Sequence, residues 1–135
     1  MVKETTNKYL EAVGRRKTAV ARVRLYPAVN KSVSIVVNGK PYDKYFTVQR
    51  YKENVLAPFK VLELGGKAEA KVSGGGISAQ SEAVRLGLSR ALVKFEADHK
   101  KNLRKEGFLT RDARKVERKK YGLSKARRAH QWRKR

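Results

Sequence analysis

The chain has 135 residues, no cysteine, 40% apolar residues and a formal net charge of +22. That length suits one domain with room for an appended segment, and the lack of thiols excludes cysteine nucleophiles and thiolate metal sites. Self-repulsion from so large a charge opposes compaction unless a polyanion neutralises it, so the expected partner class is a polyanion.

The charge is also uneven. Residues 98–135 hold 16 basic and 4 acidic groups, against 18 and 8 in the first 97, so net charge is about three times as dense in the C-terminal part. The opening MVKETTNKYLEAV lacks the apolar stretch of a signal peptide, and Glu4 and Glu11 argue against an organellar transit peptide. No run reaches the length needed to cross a bilayer. With the absence of cysteine, the expected location is cytoplasmic, with no membrane partner.

In chain order, YLEAV reads as a short strand that turns through Gly14–Lys17. TAVARVRL then alternates strictly, Ala19, Ala21, Val23 and Leu25 to one side and Thr18, Val20, Arg22 and Arg24 to the other, which is a half-buried strand with a basic outer edge. Ser32–Val37 is a third strand, ended by the turn pair Asn38-Gly39 and by Pro41. The signal is mixed from Pro41 to Leu56, where QRYKENVL suggests a short helix stopped ahead of Pro58. In KAEAKV the alternation resumes, with Ala68, Ala70 and Val72 inward.

After Gly74-Gly75-Gly76 the chain carries its clearest helix, ISAQSEAVRLGLSRALVKF. Val84, Leu88, Ala91, Leu92 and Phe95 form one apolar stripe, Glu82, Arg85, Ser89 and Glu96 fall opposite, and Ser78 is a candidate N-cap. A shorter helix follows over Asp98–Arg104. Past Gly107 no packing stripe continues. The fold class is therefore α+β: a two-layer β-β-β-α-β-α sandwich, a small sheet with helices on one face, plus an extended basic tail. Residues 1–107 form the globular unit, and 108–135 an arm ordered mainly by its partner.

Enzyme chemistry finds little support. VSGGGISAQSEA has the order strand, glycine loop, helix start, and helix N-termini attract anions. A P-loop, however, needs Lys-Ser/Thr after its last glycine, where Ile77-Ser78 stands, and the dinucleotide fingerprint lacks its final glycine. The segment resembles the Gly-Leu-Gly-Ser-Ser-Ala loop of homoserine/galactokinase-like kinases. Those are about twice as long, and no pair of acidic residues here is placed for Mg²⁺ and a base. Gly74, Gly75 and Gly76 serve either a tight turn with close helix–sheet packing or the approach of an RNA backbone. His99 and His130 lie apart with no partner at ligand spacing, so neither a metal nor another cofactor is expected, nor a small-molecule substrate.

The basic features are stronger. Arg15, Arg16 and Lys17 cluster at a hairpin turn, and Arg22 and Arg24 extend the patch along one strand face. From Arg118 onward 9 of 18 residues are basic and none is acidic. Neutralising phosphates releases counterions, so such a tail binds nucleic acid with steep salt dependence, and arginine adds planar bidentate contacts. Trp132 either stacks on an exposed base or sugar or anchors on a neighbouring protein. A DNA-compacting protein usually has a symmetric basic face, and a membrane arm has an amphipathic helix with large apolar residues. The one-sided tail has neither, which favours RNA.

Three blocks together resemble one family, ribosomal protein S-nine of the small subunit, in its bacterial form: GRRKTAVARVRL (Gly14–Leu25), GGGISAQSEAVRLGLSRAL (Gly74–Leu92) and LTRDARKVERKKYGLSKARRAHQWRKR (Leu109–Arg135). The resemblance implies a structural, non-enzymatic protein in the subunit head, bound to the 3′ major domain of the small-subunit rRNA and beside neighbouring head proteins. It implies an arm that threads through rRNA on Arg111, Arg114, Lys115, Arg118, Lys119 and Lys120, then on Lys125, with Arg127 and Arg128 lining the channel. At the end of the arm, Lys134 and Arg135 would touch the anticodon stem-loop of peptidyl-site tRNA. Arg133 would touch either that tRNA or only rRNA. Tyr121 and His130 stand where the family often has proline, which makes this arm less pre-extended.

Overall fold

A computed structural model describes residues 9–27 and 31–133. The elements are β1 (Leu10–Arg16), β2 (Ala19–Pro27), β3 (Val33–Val37), β4 (Lys40–Pro41), α1 (Tyr42–Tyr45), α2 (Gln49–Leu62), β5 (Gly66–Ser73), α3 (Ile77–Phe95) and α4 (His99–Lys105). The described strands form one sheet in the order β1-β2-β5-β3-β4, antiparallel except for β3 against β5. Parallel neighbours need a long crossover, and α2 lies in that connection. The result is the α+β two-layer arrangement the sequence implied, with β4 and α1 as short extra elements from the mixed stretch after Val37.

The alternation in the strands decides which face is covered. Ala19, Ala21, Val23 and Leu25 of β2, Ala68, Ala70 and Val72 of β5, and Ile35 and Val37 of β3 all turn inward and are buried. Against them lie Val55 and Phe59 of α2, Val84, Leu88, Ala91 and Leu92 of α3, Leu103 of α4 and Phe46. Each fully buried Val, Leu or Phe contributes about 1.5–3 kcal/mol. The outer face is left to solvent.

The inner face of β1 and β2 is built from small residues, and this lets α3 approach unusually closely. A Cβ on Gly14 would lie 1.8 Å from the Ala83 carbonyl oxygen and 2.5 Å from the Gly87 nitrogen; one on Gly87 would lie 2.7 Å from Val23 Cγ2. Helix and strand backbones therefore touch where these two glycines face each other. β1 is a sheet edge, and α3 also caps it: Arg90 Nη1 donates to the Val13 carbonyl and Lys94 Nζ to the Glu11 carbonyl, both at 2.7 Å. Charged caps of this kind block edge-to-edge pairing.

At β3 the Asn38-Gly39 turn has positive φ at both residues, 48° and 78°, as a two-residue hairpin requires. Asn38 does more than turn the chain. Its Nδ2 donates to the Val72 carbonyl at 3.0 Å and its Oδ1 accepts from the Val72 amide at 2.8 Å, so the side chain adds a rung between β3 and β5.

Four local expectations are corrected. The first hairpin turns at Lys17-Thr18, not over Gly14–Lys17: Gly14, Arg15 and Arg16 pair in β1, and Lys17 takes a left-handed φ of 51°. The helix α2 does not stop before Pro58 but carries it inside and ends at Leu62. The proline forfeits one helical hydrogen bond, while its burial beside Phe59 keeps the next turn on the core. Gly76, not Ser78, is the N-cap of α3, and Ser78 accepts from Ser81 Oγ through its carbonyl. Finally, Ser89 is buried and Phe95 is half exposed. Helix α3 lies between β1, β2 and α2, so its buried arc is wider than one stripe, and Ser89 satisfies its hydroxyl on the Arg85 carbonyl at 2.8 Å.

Candidate nucleic-acid interface

The register of the sheet assembles one side of the interface. Residues directly opposite on neighbouring strands share a face, so Glu11, Arg24, Glu69 and Val36 form one outward row, and Val13, Arg22 and Lys71 the next. Arg15 with Val20 and Ser73, and Tyr26 with Lys67, complete the outer face. Its cations are Arg15, Arg22, Arg24, Lys67 and Lys71, against two carboxylates. Glu11 lies 3.6 Å from Arg22 Nε and 3.4 Å from Arg24 Nε, and Glu69 lies 3.0 Å from Lys67 Nζ. Arg15 and Lys71 form no ion pair with a described residue. The two arginines, Lys71 and Asn38 surround a shallow depression of about 500 Å³. Arg24 also lies 4.8 Å over the Tyr9 ring and Lys67 5.5 Å over that of Tyr26, contacts that hold the cations in place.

Arg16 departs from its sequence neighbours. Pairing turns Arg15 to the outer face and Arg16 toward α3, where its side chain is only 13% exposed. Nε donates to Glu82 at 2.6 Å, Nη2 lies 3.4 Å from Asp112, and Nη1 donates to the Arg114 carbonyl at 2.6 Å. The predicted cluster of three is thus split: Arg15 and Lys17 face solvent, and Arg16 is engaged within the protein. Strand alternation carried that signal, but placing the turn at Gly14–Lys17 hid it.

The glycine loop has an internal explanation for two of its three residues. Gly74 and Gly75 have φ of 72° and 65°, and a Cβ there would lie 2.6 Å from the Thr18 carbonyl oxygen and 2.9 Å from Ala19 Cβ. Gly76 has open space around it. Gln80 fixes the loop, donating from Nε2 to the Gly74 carbonyl at 3.0 Å and accepting from Tyr45 Oη at 2.7 Å. Close packing of turn on hairpin therefore accounts for Gly74 and Gly75. No group of three or more His, Asp or Glu residues that could hold a metal occurs among the described residues.

From Gly107 the described chain forms no helix or strand, apart from an isolated bridge between Leu123 and Ala129. Phe108 and Leu109 pack on the core, with Arg85 5.1 Å over the Phe108 ring. Beyond them the arm's two carboxylates each gather cations. Asp112 receives the Arg114 guanidinium and amide, which hold its carboxyl well below the usual carboxylate range, and the same side-chain hydrogen bond, then the Asp112 charge, raises Arg114 in turn. Glu117 is lowered by hydrogen bonds from Lys120 and then Arg127. Arg111, Lys115, Arg118, Lys119, Lys125, Arg128 and Arg133 are exposed, as are Tyr121 and Trp132, the latter at 90%. Lys134 and Arg135 lie outside the described residues. No helix among the described residues is long and apolar enough to cross a membrane.

The sheet is covered on one side and cationic on the other, and the cationic surface continues along the arm, an arrangement that attracts polyanions by charge. The family described as ribosomal protein S9/S16 matches residues 14–135. The small ribosomal subunit protein uS9 of Cytophaga hutchinsonii is 48% identical over 128 residues, covering 93% of this chain and 98% of that protein. That of Gloeothece citriformis is 47% identical over 125 residues, 90% and 89% of the two chains. That of Paenarthrobacter aurescens is 48% identical over 127 residues, 92% and 74%. The chain belongs to the ribosomal protein S9/S16 family, one of ribosomal structural proteins and not of enzymes.

Proposed function

We propose that the chain is a structural constituent of the small ribosomal subunit, in the cytoplasm, binding rRNA of the 3′ major domain in the subunit head. The observation that carries this reading is the extent of the family match, which runs from Gly14 to the last residue and so takes in the arm as well as the domain. The relatives over that span are small-subunit proteins by name. Charge supplies the mechanism. On the domain, Arg15, Lys17, Arg22, Arg24 and Lys71 offer side chains to phosphates, and Gly76 leaves room for a backbone to approach. On the arm, Arg111, Lys115, Arg118, Lys119, Lys125 and Arg128 meet further phosphates. Lys120, Arg114 and Arg127 do so with their charge partly met by Glu117 or Asp112. Arg16 is left out of this set because its guanidinium is largely shielded and engaged by Glu82, Asp112 and the Arg114 carbonyl.

The finer part of the proposal concerns the end of the arm. Arg133, Lys134 and Arg135 contact the anticodon stem-loop backbone of peptidyl-site tRNA, an assignment supported by the similarity of the arm to the family's and by the run of three cations. The test is to reconstitute small subunits with a chain lacking residues 133–135. Incorporation should be unchanged and peptidyl-site tRNA affinity reduced. Unchanged tRNA affinity at several salt concentrations would refute the assignment.

A further inference from the structure

The arm is the most basic part of the chain, yet its root is held by a carboxylate. Asp112 is one of only two acidic residues after Glu106. It lies against Arg16, a β1 residue 96 positions earlier in the chain, and Arg16 is itself fixed on its other side by Glu82 of α3. The same guanidinium donates to the Arg114 backbone carbonyl. One planar, always-charged group thus spans the hairpin, the central helix and two points of the arm, a geometry that guanidinium forks suit and ammonium groups do not. The group is mostly shielded from water, so salt screens it less than a surface pair. Phe108 and Leu109, just upstream, are already packed on the core.

We propose that Arg16 and Asp112 form a positioning latch that fixes the root of the arm on the domain before any RNA is bound, so that the arm pivots after Arg114 and not at Gly107. Arg114 Nη2 and Nε close on Asp112 from the solvent side, but the link to the domain runs through Arg16. The latch sets the direction in which the remaining arm leaves the fold, and it lowers the ordering cost when RNA captures that arm. Its effect on RNA rests on the functional reading above; its existence in the free protein does not.

The two accounts of Asp112 differ in sign. If the arm is only a polycation, Asp112→Asn adds one positive charge and strengthens binding to every polyanion. If Asp112 is a latch, the same change strengthens non-specific binding but weakens binding to the cognate head-domain rRNA, by roughly twofold to fivefold. The chain has no cysteine, so Lys60→Cys and Ala113→Cys place one spin label on α2 and one on the arm root without background. Electron–electron resonance on the free full-length protein should give a narrow distance distribution. Asp112→Asn and Arg16→Gln should broaden it, whereas Arg114→Ala, at a side chain 86% exposed, should leave it narrow. A distribution already broad in the parent, or still narrow in Asp112→Asn, overturns the latch whatever the RNA result. Affinities for heparin and for the rRNA fragment that rise together in Asp112→Asn overturn its role in recognition while leaving the proposed function intact.

Discussion

Replacing Gly14 by alanine should be among the most damaging single-methyl changes available in this protein. The added carbon would lie 1.8 Å from the Ala83 carbonyl oxygen and 2.5 Å from the Gly87 nitrogen, both backbone atoms of α3. A tolerable C···O approach is about 3.3 Å, so helix and strand must separate by about 1.5 Å. No side-chain rotation relieves a clash with backbone. Separation opens gaps along the contact of α3 with β1 and β2, where Ala21, Val23, Ala83 and Val84 now pack without exposure. Overpacking of this kind typically costs about 1–3 kcal/mol, and a backbone clash belongs at or beyond the upper end. For a domain of this size about 3 kcal/mol corresponds to a fall in Tm of roughly 10–14 °C. Gly76→Ala is the control: nothing lies within 4 Å of its Cβ and its φ is −95°, so it should cost less than about 1 kcal/mol. Thermal unfolding followed by circular dichroism compares them. Equal midpoints for the two variants would refute the argument from backbone contact.

Other expectations follow from the charges. The double variant Arg22→Ala/Arg24→Ala should lower the slope of log affinity against log salt for rRNA by roughly 1–2, with little change in thermal stability; filter binding between 50 and 300 mM salt, on the order of the usual range, checks this. The lowered Asp112 carboxyl stabilises the folded arm root above its unfolded value of about 3.9, and that contribution disappears only as pH falls through the still lower folded value. Carboxyl NMR should therefore find Asp112 ionised at pH 3.9, and a midpoint near 4 contradicts the contact with Arg114 and Arg16. In the free protein, amide NMR should show dispersed signals for residues 108–114 and sharp, poorly dispersed ones from Tyr121 onward. Dispersion throughout the arm would contradict partner-driven ordering.

Much of the fold was legible because period-two alternation in TAVARVRL and KAEAKV states directly which residues are buried, and the burial pattern follows it residue by residue. The long helix was legible for a similar reason. What escaped was tertiary. Pro58 is a stop signal by local chemistry, and its burial in the core beside Phe59 is a tertiary feature that no local signal announces. Gly14 reads locally as a turn residue, whereas its missing side chain lets β1 meet the α3 backbone at Ala83 and Gly87, 73 positions later at the latter. On the interface side, charge density pointed to the arm and the sheet edge. It could not show that Arg16 faces the opposite way from Arg15, because that depends on where the hairpin turns by a single residue. Nor could it separate arm cations that face solvent from Arg114, Lys120 and Arg127, whose carboxylate partners are set by the path of the chain.

Under the proposed function, this chain distinguishes small-subunit head rRNA from other polyanions by where its cations stand on the fold as well as by their charge. Competition binding of the full chain tests it most directly, with a 3′ major domain rRNA fragment set against duplex DNA and unrelated RNA of equal length at about 0.15 M salt. The expected result is preference for the head-domain fragment by roughly 10³-fold or more, as specific complexes show over non-specific ones. Equal affinity for all three polyanions would contradict it.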